Sequence, residues 1–239
     1  TINDLTDARR QMDGYVTRIY DNGKRIDTKK YLTEELSDNA VKFIDDNSDN
    51  PFFIYLSYNA PHTPLQATER DLERNNHIEV EKRRTYAAMV SSMDDGIGLI
   101  LDKLEEKKIA DNTIVIFFSD NGGVEWYNFS DNGILRGIKG DFFEGGIRVP
   151  FFFHWKGKIK AGIDNYTPIS HLDIFPTIMD VIDNHSFDDE LDGRSILQFL
   201  KNGIEINERP LFWHFPIYLQ GYNINNNENR DSIFRTRPG

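Results

Sequence analysis

Three short apolar runs constrain this chain most: residues 52–56 (Phe-Phe-Ile-Tyr-Leu), 113–118 (Thr-Ile-Val-Ile-Phe-Phe) and 149–155 (Val-Pro-Phe-Phe-Phe-His-Trp), each between turn formers. A continuous apolar run of that length is the pattern of a strand covered on both faces. Helical periodicity fills the intervals. Leu36, Ala40, Phe43 and Ile44 predict a helix over 33–47, with Glu34 and Glu35 suited to its first turn. Tyr86, Met89, Val90, Met93, Ile97, Ile100, Leu101 and Leu104 predict one long amphipathic helix over 80–108, with Lys107 and Lys108 placed to complement its C-terminal dipole. Ser170-x-x-Asp173 reads as a capping box opening a helix to about 182, with Pro176 within its second turn. Residues 1–30 read as a helix fragment and loop, with a turn at Asp21-Asn22-Gly23, and a short helix carries Ile196, Leu197 and Leu200.

Strands alternating with helices imply an α/β fold with a mostly parallel sheet flanked by helices. From about 207 the chain becomes aromatic and then asparagine-rich. The expected division is therefore a main domain over 1–206 and the start of a small C-terminal α+β subdomain over 207–239. In open α/β sheets ligands bind beyond the carboxyl ends of the strands. That directs attention to the loops that follow the apolar runs.

The first loop is Asn59-Ala60-Pro61-His62-Thr63-Pro64, stiffened by two prolines around one histidine. Fixed geometry suits His62 to acid/base or anion contact, although a lone loop histidine is more often structural or simply exposed. The second is Ser119-Asp120-Asn121-Gly122-Gly123. Asp120 and Asn121 set a carboxylate beside an amide oxygen, a hard-ligand pair for calcium or magnesium; the same dipeptide also makes an ordinary Asx turn. Phe-Ser-Asp-Asn-Gly occurs twice, at 118–122 and 129–133, and only the first copy follows a strand. The pair is therefore assigned to Asp120 and Asn121, with Asp131 as the fallback. The third loop runs Arg136-Gly137-Ile138-Lys139-Gly140 and on to Glu144-Gly145-Gly146-Ile147-Arg148-Val149-Pro150. Such a glycine run can bring backbone close to an anion and aim the Lys139 ammonium at it.

Taken in order, Ala60-Pro61-His62-Thr63-Pro64, Ser119-Asp120-Asn121-Gly122-Gly123 and Lys139-Gly140-x-x-x-Glu144-Gly145-Gly146-Ile147-Arg148-Val149-Pro150 resemble the type I sulfatases of the alkaline-phosphatase-like superfamily. Ser170-His171-Leu172-Asp173-Ile174-Phe175-Pro176-Thr177, Leu191-Asp192-Gly193-Arg194-Ser195 and Arg209-Pro210-Leu211-Phe212-Trp213-His214-Phe215-Pro216 extend the likeness over about 31–239. The resemblance implies that Asp120 and Asn121 ligate one Ca2+. It implies that His62 and Lys139 contact the sulfate ester, one of them protonating the leaving oxygen, and that His214 touches the substrate rim. Glu144, Arg148, His171 and Asp173 would be structural. An amide after the aspartate, where the phosphatase relatives carry a histidine of a two-zinc site, favours a single hard ion.

The family's nucleophile is a formylglycine made from the Cys or Ser of a Cys/Ser-x-Pro-x-Arg motif. This sequence has no cysteine and no Ser-x-Pro-x-Arg. The expectation is a middle and C-terminal part of a sulfatase that is inactive by itself. Two other readings use the same residues: a non-catalytic module binding sulfated glycan, or a phosphatase or phosphodiesterase of the same superfamily. Acidic residues outnumber basic ones by 39 to 28, giving a net charge of −11, which argues against a general nucleic-acid binder and mildly favours small substrates or chain ends over long polyanions. Sulfated carbohydrate is the expected substrate. No apolar run approaches the ~18 residues of a membrane span. A periplasmic or secreted location follows from the resemblance alone. Asn-x-Ser/Thr triplets at Asn128, Asn165 and Asn184 would be glycosylated only in a eukaryotic secretory setting.

Overall fold

The computed structural model describes residues 19–26, 28, 30–125, 129–183 and 191–214. The chain divides into two compact units, one of residues 1–109 with 123–138 and one of residues 110–122 with 139–239.

In the first unit, β1 (Ile19–Asp21) and β2 (Lys24–Ile26) form an antiparallel hairpin in which Tyr20 faces Arg25. Its turn uses Asn22 and Gly23, both at positive φ (49° and 78°), the Asn-Gly combination that matches strand twist. The turn was legible; the two three-residue polar strands beside it were not. Helix α1 (Leu32–Asn47), α2 (Glu69–Arg74) and α3 (Glu81–Glu106) follow. The seam between α1 and α3 is narrower and more polar than the apolar stripes suggest. Its fully buried residues are Thr33, Ser37, Ala40 and Ile44 on α1 and Ala88, Met89, Ser92, Gly96 and Leu104 on α3. Ala88, Ser92 and Gly96 stand four apart, so one row of small side chains lets the helices approach closely. A Cβ on Gly96 would lie 2.1 Å from Ser37 Oγ and 3.0 Å from the Tyr58 hydroxyl. Ser37 Oγ donates to Thr33 O (2.8 Å), so the Tyr58 hydroxyl, 2.8 Å away, donates to Ser37. Burial pushes the Tyr58 phenol above its ordinary pKa and keeps that donor protonated.

Residues 52–56 enter no ladder among the described residues. Their burial nonetheless alternates: Phe52, Ile54, Leu56 and Tyr58 are half-buried, while Phe53 (68 % exposed) and Tyr55 (72 %) face outward. That period of two is the pattern of an extended segment with one face covered by the described residues. Phe52 packs edge-on against Phe43 of α1, with ring centroids 6.1 Å apart.

The second unit holds β3 (Val115–Phe118), the short helix α4 (Glu144–Ile147), β4 (Phe151–His154), α5 (Ile174–Val181) and α6 (Leu197–Asn202). β3 and β4 pair antiparallel, from Val115 opposite His154 to Phe118 opposite Phe151. The α/β class stands, and both ladders among the described residues are two-stranded and antiparallel. The reason lies between the strands. A parallel return needs a crossover of a dozen or more residues, usually helical, and the described part of 119–150 contains only the four-residue α4 as a complete helix. Phe118 and Phe151 stack across the ladder at 5.3 Å.

The capping box is present. Ser170 Oγ accepts from Leu172 N (3.3 Å) and Asp173 Oδ2 accepts from Ser170 N (2.8 Å). It caps a single 3-10 turn, His171–Asp173, after which α5 begins at Ile174. Pro176 thereby falls in the first turn of α5, where its missing N–H costs nothing, and not in a second turn as the spacing suggested. Of the segment 207–239 only 207–214 are described, so the expected subdomain lies mostly outside the described residues, as do Asn128, Asn184 and the asparagine-rich stretch.

Candidate active site

Of the five residues singled out, Asp120, Asn121, Lys139 and His214 belong to the second unit and His62 to the first. Asp120 and Asn121 leave β3 after Ser119, which is tied into the sheet by its N–H to Pro150 O (3.2 Å). Asp120 Oδ1 accepts from Asn121 N (2.9 Å), and Asn121 Nδ2 donates to Gly122 O (3.0 Å). The remaining side-chain oxygens, Asp120 Oδ2 and Asn121 Oδ1, accept no hydrogen bond from the described residues. One anionic and one neutral oxygen left over at a strand end match the donor set of a hard cation. Among the described residues no three His, Asp, Glu or Cys side chains gather as a metal cluster, and two oxygens alone would fill only part of the six to eight positions around a calcium ion.

The second Phe-Ser-Asp-Asn-Gly copy is spent differently. Asp131 Oδ1 accepts from Gly133 N (2.8 Å), closing an Asx turn. Asn132 is saturated by backbone: its Oδ1 accepts from Gly123 N (3.0 Å) and its Nδ2 donates to Gly123 O and Gly137 O (both 3.1 Å). Its geometry therefore favours the first copy as the cation pair and leaves the fallback without a free amide oxygen.

The glycine run turns out to serve the Asp-Asn loop. Gly122 N donates to Gly146 O (2.9 Å), and a Cβ on Gly122 would sit 1.7 Å from Gly145 O. Backbone lies directly on backbone, which only a glycine at 122 permits. Gly122→Ala is expected to lower stability by about 1–3 kcal/mol, as overpacking does. Faster exchange of the residue 122 amide should accompany a lower melting temperature; an unchanged melting temperature would refute the contact. Glu144 and Arg148 do pair (3.0 Å), but both are exposed, so the loop is held mainly by this backbone contact.

Lys139 lies half-buried between Gly137 and Gly140, whose φ angles of 92° and 93° are open only to glycine. His62 lies between the cis peptides Ala60–Pro61 and Thr63–Pro64. Its N–H donates to Asn59 O (2.8 Å), and Nδ1 is 2.7 Å from Thr63 O. A carbonyl only accepts, so Nδ1 carries the proton and Nε2 is the lone-pair nitrogen of the neutral ring. His214 is exposed beside exposed Phe212 and Trp213.

Two further residues make contacts beside Asp120 that the sequence does not show, although His171 was already expected to be structural. His171 Nε2–H donates to Ser119 O (2.9 Å), and its ring meets Phe118 edge-on at 4.9 Å. A histidine within a capping box thus pins the residue before Asp120. Asn132 is the other. Neither contact has a periodic signature; the repeated pentapeptide was the only available sign of Asn132.

The structure is similar to solved sulfatase structures of the alkaline-phosphatase-like α/β fold. One titled as Ps i-CgsB superposes with a TM-score of 0.74 at 37 % identity, covering 82 % of this chain and 45 % of that one. The PsFucS1 sulfatase of Pseudoalteromonas sp. superposes with a TM-score of 0.68 at 28 % identity, covering 82 % and 41 %. The chain thus has the fold of these sulfatases. The family model "Sulfatase" matches residues 4–184, and the chain belongs to the sulfatase family. An uncharacterized sulfatase, YdeN, of Escherichia coli is 36 % identical over 189 residues (77 % of this chain, 33 % of YdeN), and the human steryl-sulfatase is 30 % identical over 214 (86 % and 36 %). The chain thus spans about a third of the length of these curated relatives.

Proposed function

We propose that this chain is part of a sulfatase that hydrolyses sulfate esters of carbohydrates with the help of one Ca2+. The observation that carries the reading is the Asp120 Oδ2 and Asn121 Oδ1 pair, left without hydrogen bonds from the described residues at the end of β3 in a sulfatase-family chain. Asp120 and Asn121 would hold the ion; when bound, it supplies positive charge that lowers the repulsion between an anionic ester and its attacker. Lys139 binds the sulfate oxygens and steadies the charge they carry in the transition state. His62, whose Nδ1–H is fixed on Thr63 O, would act as the leaving-group acid in its imidazolium form, giving the Nε2 proton to the leaving oxygen and ending as the neutral Nδ1–H ring. The nucleophile, a formylglycine in this reading, is not among these 239 residues, which contain neither Cys nor Ser-x-Pro-x-Arg.

Carbohydrate is favoured by two observations. Phe212 (87 % exposed) and Trp213, next to His214 in the chain, offer exposed aromatic rings on which sugar rings can stack. The 37 %-identical Ps i-CgsB was also solved in complex with k-i-k-neocarrahexaose. The net charge of −11 favours small esters or chain ends. Among the described residues no helix is long and apolar enough to cross a membrane, and we place the protein in the periplasm or outside the cell, where sulfated polysaccharides occur.

The test is turnover of 4-methylumbelliferyl sulfate by the full-length protein as encoded. It is expected to proceed, to stop on calcium chelation and to return with Ca2+. Residues 1–239 alone are expected to show no turnover above their Lys139→Ala control. Two tightly bound zinc ions with phosphate-ester turnover would instead establish the phosphatase alternative, and tight binding of sulfated sugar without turnover the binding module.

A further inference from the structure

The second Phe-Ser-Asp-Asn-Gly copy takes no part in the chemistry above, yet its asparagine is the most heavily committed amide near the site. Asn132 uses Oδ1 and both N–H groups at once, on Gly123 N, Gly123 O and Gly137 O. Its own N–H donates to Glu125 Oε1 (3.1 Å), and its carbonyl accepts from Leu135 N (3.2 Å). Gly123 follows Asn121 by two residues, and Gly137 precedes Lys139 by two. One side chain therefore joins the two points at which the segment between the cation pair and the lysine begins and ends.

We propose that Asn132 is a positioning residue, setting the spacing between the Asp120–Asn121 turn and the Lys139 loop by clamping Gly123 to Gly137. The consequence for Ca2+ and sulfate rests on the sulfatase reading; the clamp itself does not. Three features make the assignment specific. The clamp needs an acceptor and two donors on one short planar group, which only an asparagine amide offers at this length. Gly123 lies close against the segment that carries Asn132, because a Cβ there would lie 2.0 Å from Ser130 Oγ. Gly137, at φ 92°, turns the chain as it leaves the clamp.

Outer groups that hold metal ligands in place typically change metal affinity or activity by about 10–100-fold when removed. The experiment compares Asn132→Ala, Asn132→Asp and Asn75→Ala in the full-length protein. Asn75, which donates to Asp71 O and Ser91 Oγ on α2 and α3, controls for general destabilisation. Readouts are amide exchange at Gly123 and along 137–140, Ca2+ affinity by calorimetry, and kcat/KM on 4-nitrophenyl sulfate. Asn132→Ala should speed exchange at both places about tenfold, the scale of a lost hydrogen bond, and weaken Ca2+ affinity about 10–100-fold. Asn132→Asp keeps the acceptor for Gly123 N but faces two carbonyl oxygens with a carboxylate, so it should protect the Gly123 amide better than alanine and bind Ca2+ no better. Asn75→Ala should leave all three readouts near native. Native-like exchange in both Asn132 variants, or equal losses in Asn75→Ala, would overturn the clamp. A native protein that neither binds Ca2+ nor turns over sulfate would refute the sulfatase reading, and the exchange data would still decide the clamp.

Discussion

Asp173→Ala is expected to destabilise the full-length protein by about 3–5 kcal/mol, the loss typical when one partner of a buried ion pair is removed. Asp173 is 1 % exposed and accepts from three directions: Ser170 N at 2.8 Å, Arg194 N at 3.0 Å, and the Arg209 guanidinium, which reaches both carboxylate oxygens. Alanine would strand two backbone N–H groups and a guanidinium whose side chain is only 17 % exposed. Arg209 Nη1 also donates to Asp192 O (3.0 Å), so the carboxylate ties the 191–194 turn to the start of α5. Gly193 fits beneath it, since a Cβ there would lie 1.9 Å from Leu172 O. The damage should reach the site, because the 3-10 turn that Asp173 closes carries His171, the residue that pins Ser119. Asp173→Asn should fall between alanine and the native protein, keeping an acceptor and losing the charge. Urea denaturation with an unchanged m-value measures the cost. A loss below about 1 kcal/mol, the scale of an exposed ion pair, would show that Arg209 does not depend on Asp173.

How much of this was legible follows from which interactions carry a period. α1, α3 and the Ser170–Asp173 box were readable because a helix repeats its face every 3.6 residues and a cap needs particular side chains at fixed spacing. α2 is six residues long and its cap is Thr68, whose Oγ accepts from Asp71 N; no apolar stripe announces it. The small-residue row Ala88-Ser92-Gly96 was hidden because apolarity was counted and closeness of approach was not. The antiparallel pairing of β3 with β4 was not legible, because an apolar run marks where a strand lies and not the direction of its partner. At the candidate site, residue types at strand ends gave Asp120 and Asn121. Which copy of Asp-Asn keeps a free amide oxygen depends on tertiary hydrogen bonds from Gly123 and Gly137, and these have no linear signature.

Lys139→Ala is expected to lower kcat/KM for an aryl sulfate by about 100- to 1,000-fold, the range seen when a donor to developing negative charge is removed. In the proposed role the ammonium would act on the equatorial oxygens of the sulfuryl group, so the loss should fall chiefly on kcat, with a smaller rise in KM from ground-state binding. Ca2+ affinity should not weaken, because a cation has been removed and no ligand lost. Asp120→Ala should behave in the opposite way toward the ion: it removes the one anionic oxygen of the pair, so Ca2+ affinity and turnover should fall together, and excess Ca2+ should restore part of the rate. Lys139→Arg tests geometry against charge. The Gly137 and Gly140 backbone turns place the residue 139 Cα in one position, and a longer planar guanidinium cannot set its charge where the ammonium stood. Partial recovery over alanine is therefore expected, well short of the native rate. Calorimetry with Ca2+ and steady-state rates on 4-nitrophenyl sulfate separate the two roles. Should Lys139→Ala keep its rate within threefold of native, or lose Ca2+ as Asp120→Ala does, the assignment of Lys139 to the sulfate would be wrong.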